Sequence, residues 1–337
     1  MQHCGKQSIL FDRPPALCAW ASIAGVKEGA GPLGREFDIV LTDDLQEQPS
    51  WEKAESCLQQ KALSRALEKA ALPAEGLQLI AGGDLLNQCV GTSFALRGTG
   101  IPFLGLYGAC STMTESLLVA GMAVSGGAVQ TAGAITSSHF ASAERQYRFP
   151  LVYGGQRTPT AQWTATAAGC VILTQEGPGP QLRRATIGRI TDWGIPDANN
   201  MGAAMAPAAY ETIRTHLDDF HLTPEDYDLI VTGDLGALGS QIVRDLFERD
   251  GVHLEGRYAD CGMLLFDRER QDVHAGASGC GCSAAVLCSR LLRQLKTGEI
   301  TRLLFCSTGA LLSPVTTQQG ESIPGICHAA AICTEGA

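Results

Sequence analysis

Chemistry in this chain has to start from Cys110, in "YGACSTMTESLLVAGMAV" (107–124). The cysteine follows a Gly-Ala pair, precedes Ser111 and Thr112, and opens a small, apolar helical stretch with Glu115 in its first turns. A helix start offers free backbone N–H groups and the positive end of the dipole, which favour a thiolate nucleophile. A buried small residue would suit the position equally well. The second concentration of reactive groups is "SSHFASAERQYRFPLVYGGQRTPTAQW" (137–163), with His139, Glu144, Arg145, Arg148, Tyr153, Gln156 and Arg157. Arginine forks match carboxylates bidentately, and tyrosine rings stack on flat heteroaromatics. That inventory suits a small planar anion. Each member also has an ordinary reading: an arginine paired with Glu144 or another acid, a hydrogen-bonded His139, a tight turn at Gly154-Gly155.

Both stretches must be held by regular elements, and the chain repeats them. "LPAEGLQLIAGGDL" (72–85) matches "LTPEDYDLIVTGDL" (222–235), 150 residues on. "GACSTMTESLLVAGMAVSGGAVQTAGAITSS" (108–138) aligns without a gap to "GCGCSAAVLCSRLLRQLKTGEITRLLFCSTG" (279–309), at an offset of 171. The changed offset places an insertion around Gly251–Val273. Each copy reads as helix, strand, loop, central helix, strand, which is an α/β pattern. The central helices are small and apolar on several sides, as buried helices are. The expectation is a layered, pseudo-symmetric body of two halves, 1–177 and 178–337, divided near "EGPGPQ".

Composition narrows the function. With 337 residues, 45% hydrophobic and 18% charged, the chain can bury a large core. A net charge of -10 argues against nucleic acid and against adhesion to an anionic membrane. Thirteen cysteines without a regular framework, behind a start lacking a signal-like apolar core, imply a reduced intracellular compartment. No paired CxxC motifs propose a zinc site, and no cofactor or metal is expected. "GALGSQ" lacks the GxGxxG order, and "GGQRTPT" lacks the end of a phosphate loop. Ser116–Ala143 is free of charge, but the glycines of "SGGAVQTAG" break it, so a spanning helix is not expected.

The duplicated α/β halves with a cysteine opening the first central helix resemble the thiolase fold, a layered αβαβα body with two buried central helices. More specifically, "GPLGREFD", "GDLLNQ", "GACSTMTESL", "DWGIPDANNMGAAMAPAA", "TGDLGALGS", "GCGCSA" and "TGALLSP" resemble the stage V sporulation protein AD family of spore-forming bacteria. The likeness runs through nearly the whole chain. It implies a cytosolic protein held at the inner spore membrane by integral partners of one transport assembly. The cargo it implies is dipicolinic acid (pyridine-2,6-dicarboxylate), with a calcium chelate and a homodimer left open. In thiolase-like enzymes the cysteine needs His or Asn partners from the second half. Here those places hold Asp234 and the run Cys280, Gly281, Cys282. A carboxylate raises a neighbouring thiol's pKa, the reverse of activation. The resemblance thus points to a protein without catalytic residues, whose ligand site gathers Cys110, His139, Arg145, Arg148, Tyr153, Gln156, Arg157 and His328. The alternative is a condensing enzyme using Cys110, with Cys306 or His328 as proton carrier.

Overall fold

The computed structural model describes residues 1–147, 157–254 and 256–334. The chain opens with a hairpin, β1 (Gln2–Cys4) and β2 (Ser8–Leu10), followed by the long strand β3 (Ala16–Ala24). Next come α1 (Val26–Gly29), β4 (Ile39–Val40), α2 (Trp51–Ala70), β5 (Ile80–Gly83), α3 (Val90–Leu96) and β6 (Phe103–Gly105). The first central helix is α4 (Thr112–Ser125), leading into β7 (Thr131–Ser138) and α5 (Phe140–Tyr147). Beyond these lie β8 (Trp163–Thr164), β9 (Ala167–Thr174), β10 (Gln181–Thr186), α6 (Met201–Phe220), β11 (Leu229–Thr232), α7 (Gly236–Arg249), β12 (Tyr258–Asp260), α8 (Cys261–Leu264) and β13 (Ala277–Ser278). The second central helix runs through α9 (Cys280–Val286), a π turn (Leu287–Leu291) and α10 (Leu292–Thr297). It is followed by β14 (Arg302–Ala310), α11 (Pro314–Gln318) and β15 (Gly325–Cys333).

Strand order is β12-β11-β14-β15-β10-β3-β9-β7-β5-β6. The two ends mirror each other: β11 lies parallel to β12 and β14, and β5 lies parallel to β6 and β7. In the middle, β10 and β3 meet through one pair, Gln181 and Ala16. The internal repeat falls on this symmetry. Its 150-residue offset superposes β5 on β11, and its 171-residue offset superposes β7 on β14. In this symmetry β12 answers to β6, and the insertion adds α8 and its flanking loops. This is the thiolase-like α/β arrangement.

Three apolar clusters fill the spaces between layers. The central one packs α4 residues Met113 and Leu117 with α9 residues Ala284 and Val286. A second holds α6 and α7 on one outer face, and a third holds α2 on the other. Every residue of α9 is buried, which an all-round small and apolar sequence permits. The outer helices carry local signals. Ser50 accepts from Lys53 N–H to start α2, and Ala71 in the left-handed region ends it. Among the described residues no helix is long and apolar enough to cross a membrane. The uncharged run resolves into α4, β7 and the start of α5.

One buried acid makes stability depend on pH. Glu28 is fully buried, and its Oε1 accepts from Thr166 N–H at 2.9 Å while its Oε2 has no partner. Burial, with Asp44 adding to it, pushes the carboxyl up to about 8 from an ordinary 4.5. The folded chain keeps this proton where the unfolded chain releases it. The contribution is therefore complete below about 4.5 and lost as pH rises through about 8. Glu28→Gln keeps the neutral shape, so its thermal midpoint should fall less than the parent's between about pH 5 and 8.5. Midpoints measured across that range test it. A slope equal to the parent's would show that Glu28 is not the titrating group. Glu55 (about 8) and Asp260 (about 7), both raised by burial, preserve part of the slope in either protein.

Candidate functional site

A cavity of about 310 Å³ opens where the start of α4 meets α5 and the end of β14. It is at the small end of the roughly 300–1,000 Å³ that ligand pockets occupy. Cys110, 5% exposed, lies on its floor, directly after Ala109, whose φ of 52° puts an alanine in the left-handed region. Ser111 and Thr112 turn their hydroxyls back onto the carbonyls of Gly108 and Ala109, at 2.6 and 2.7 Å, and so fix this start. Thr114 donates to Ser307 on β14 at 2.8 Å. The walls add Leu85, Asn87 and Tyr107 from the strand-end loops, Ala143, Glu144 and Tyr147 from α5, Thr164 and Ser278 from the small β8–β13 pair, Met201 from α6, and residues 310–314.

Behind Cys110 stands Asp234, fully buried at the end of β11. Its carboxylate accepts from Gly279 N–H and from the Thr308 hydroxyl, each at 2.8 Å. Burial raises it to about 6, opposed by these donors and by the Cys110 thiol. The thiol in turn is pushed well above its ordinary 9.0, first by burial and next by Asp234 and Cys280. At neutral pH the pair is therefore a carboxylate facing a neutral thiol. A nucleophile requires the opposite charge distribution.

The expected site is only partly assembled. Cys110 lines the cavity. His139 does not: it is 1% exposed, its Nδ1 accepts from Ala141 N–H at 3.2 Å, and its Nε2 donates to Asp44 O at 3.0 Å. Burial lowers its pKa, so it is a neutral structural residue. Arg145 is directed away from the cavity and pairs with Glu52, because one residue along a helix turns the side chain about 100° from its neighbour Glu144. Arg157 reaches the opposite way, to Asp272 Oδ1 at 2.8 Å, and lies 4.7 Å from the centre of the Trp163 ring. His328, on β15, accepts from Gly188 N–H at 3.1 Å and is held neutral by burial, with its pKa near 4. It does not line the cavity. Arg148, Tyr153 and Gln156 lie outside the described residues. Cys306 packs in the outer α6 cluster rather than beside Cys110, so it cannot serve as the thiol's proton carrier.

The stretch read as a polar loop after His139 is partly helical, as α5. Sequence reading missed Leu85, Asn87, Tyr107, Thr164, Ser278 and the 310–314 segment. Only Tyr107, beside the Gly-Ala-Cys run, had a local signal. Among the described residues no cluster of His, Cys, Asp or Glu is arranged to hold a metal ion, and the described lining carries no lysine, arginine or histidine.

Comparison with known proteins gives both a family and a fold. The family model described as Stage V sporulation protein AD matches residues 5–333. Stage V sporulation protein AD of Bacillus subtilis (strain 168) is 45% identical over 328 residues, covering 97% of each chain. Among solved structures, 3-oxoacyl-[acyl-carrier-protein] synthase III from Aquifex aeolicus aligns at TM-score 0.56 and 13% identity, covering 95% of this chain and 99% of its own. The corresponding synthase from Pseudomonas aeruginosa aligns at 0.58 and 15%, covering 96% and 98%. OleA of Xanthomonas campestris aligns at 0.60 and 12%, covering 96% and 98%. At such identities these enzymes share the fold with this chain.

Proposed function

This chain belongs to the stage V sporulation protein AD family, and on that premise we propose that it is a thiolase-fold protein without condensing activity that binds dipicolinate. In this reading the Cys110 cavity takes the ligand. The protein hands it on through integral membrane partners of a spore transport assembly while standing at the membrane surface. The observation that carries the reading is the Cys110–Asp234 pair. The cysteine position of the condensing enzymes persists, but its thiol faces a buried carboxylate, with no histidine in reach of it among the described residues. A small, half-open, partly polar cavity remains, lined by two tyrosines and several hydroxyls. A planar diacid fits that chemistry better than an acyl chain awaiting a thiolate.

Glu144 is the one carboxylate among the described lining residues, and it accepts from Thr164 at 3.1 Å. With a carboxylate on the wall, calcium as counter-ion of the diacid is the variable to control. Titration calorimetry with dipicolinate, with and without calcium, therefore separates the two cargo forms, with benzoate as control. Saturable heat from dipicolinate and none from benzoate is expected. No heat from either, together with acyl transfer to Cys110 from an acyl-coenzyme A, would return the cavity to enzymology.

Because Arg145 and Arg157 spend their charges on Glu52 and Asp272, alanine at either should leave dipicolinate affinity within about twofold. That corresponds to less than about 0.5 kcal/mol. A tenfold loss in Arg157→Ala would require the ligand to sit on the Trp163 side of α5 instead.

A further inference from the structure

One side of the cavity mouth is bounded by a ring of hydrogen bonds that narrows the opening. The Tyr107 and Tyr147 hydroxyls lie 2.5 Å apart, and Tyr107, 48% exposed, marks the mouth. Tyr147 donates to Leu85 O. Tyr107 lies 3.1 Å from Asn87 Oδ1. Gln146 completes the ring, donating to Asn87 Oδ1 at 3.2 Å and accepting from Asn87 N–H at 3.1 Å. Three separate segments, the loop after β5, the approach to Cys110 and the end of α5, are thus tied over one opening.

The helix that carries Tyr147 is held by the Phe140 ring stacked on Trp163, by Ala143 against Leu85 and Cys110, and by several polar contacts. Ser142 donates to Glu55, Thr164 donates to Glu144, and Arg145 pairs with Glu52. Its fully buried residues are only Ser142, Ala143 and Glu144, so beyond the Phe140 stack and the Ala143 and Tyr147 contacts its displacement exposes little apolar surface. Elements held in this way open at low free energy. The described walls offer no cationic side chain to an anion, which leaves neutral donors, and the two phenols are those at the entrance.

We propose that Tyr107 and Tyr147 are both the gate of the Cys110 cavity and the specificity-determining donors for its ligand. In the empty protein the phenols satisfy each other and Leu85 O. On binding, they exchange that bond for a carboxylate of the ligand, so entry and recognition are one event. The ligand half rests on the dipicolinate reading, and the gate half does not.

The test uses Tyr107→Phe, Tyr147→Phe and the double variant, which keep the rings; unchanged thermal midpoints establish that each is folded. In ligand-free protein, iodoacetamide labelling of Cys110, read by peptide mass, should run several-fold faster in each single variant. The double variant should be no faster than the faster single one, because both changes break the same bond. Dipicolinate affinity should fall about tenfold in each. Wild-type binding accompanied by unaltered labelling and unaltered affinity in the variants overturns this proposal alone. Wild-type protein that takes up no dipicolinate overturns the ligand reading along with the recognition role. Accelerated, non-additive labelling would still uphold the gate in that case.

Discussion

Asp234→Ala should lower the thermal midpoint by about 5–10 °C, the largest effect expected from a single side chain near the site. The carboxylate accepts from Gly279 N–H, at the start of α9, and from Thr308 on β14, and it faces Cys110 at the start of α4. Its removal leaves two hydrogen-bond donors buried without acceptors, each costing about 1–3 kcal/mol. A loss of roughly 2.5 kcal/mol corresponds to the stated shift at about 2–4 °C per kcal/mol. Asp234→Asn keeps one acceptor oxygen but turns an N–H₂ group toward these donors, so its loss should be intermediate. Alanine should also speed alkylation of Cys110 at pH 8, since the carboxylate is the second cause holding that thiol up and burial alone remains. Scanning calorimetry and peptide-resolved labelling measure the two effects. An unchanged midpoint in the alanine variant would mean the carboxylate contributes no net stability.

Gly281→Ala should destabilise the chain comparably, for a different reason. A Cβ at Gly281 would lie 2.4 Å from Ala167 O, 2.5 Å from Ser138 Oγ and 2.7 Å from Ser138 N. Two of those atoms are backbone of β7 and β9, which cannot turn aside as a side chain can. The second central helix must move off the sheet, with an overpacking cost of about 1–3 kcal/mol or more. Because α9 follows Ser278 and Gly279, the shift also displaces the cavity floor, and dipicolinate affinity should fall with the midpoint. Gly298→Ala is the control. Its φ of 75° is unfavourable for alanine, but nothing lies within 4 Å of the added carbon. It should therefore cost only about 1 kcal/mol and leave binding unchanged. Equal effects of the two substitutions on binding would show that close helix–sheet approach is not what sets the floor.

Much of the architecture is legible in the residue order because it is periodic and local. The Leu-Ile-to-Gly-Asp-Leu segments that end β5 and β11 repeat at a fixed spacing, and the small apolar faces of α4 and α9 suit helices buried between two sheets. The residue that follows the second repeat strand is also legible: it is Asp234, the carboxylate that the structure sets against Cys110. In the 137–163 stretch, Arg145 and its neighbour Glu144 turn in different directions for a geometric reason. Consecutive side chains on α5 point about 100° apart, so Glu144 faces the cavity while Arg145 meets Glu52. Charge density along a chain says nothing of which way each charge turns.

What the sequence by itself determined here is the family and the duplicated α/β layering, both carried by spacing and residue type. The tertiary structure alone decided the cavity. Leu85, Tyr107, Tyr147, Ser278 and the 310–314 segment come from five parts of the chain and meet only once both central helices are packed between the sheets. The physical reason is that burial and hydrogen bonding across long sequence separations depend on distances in space. The desolvation that holds Cys110 neutral arises only when those segments close around it.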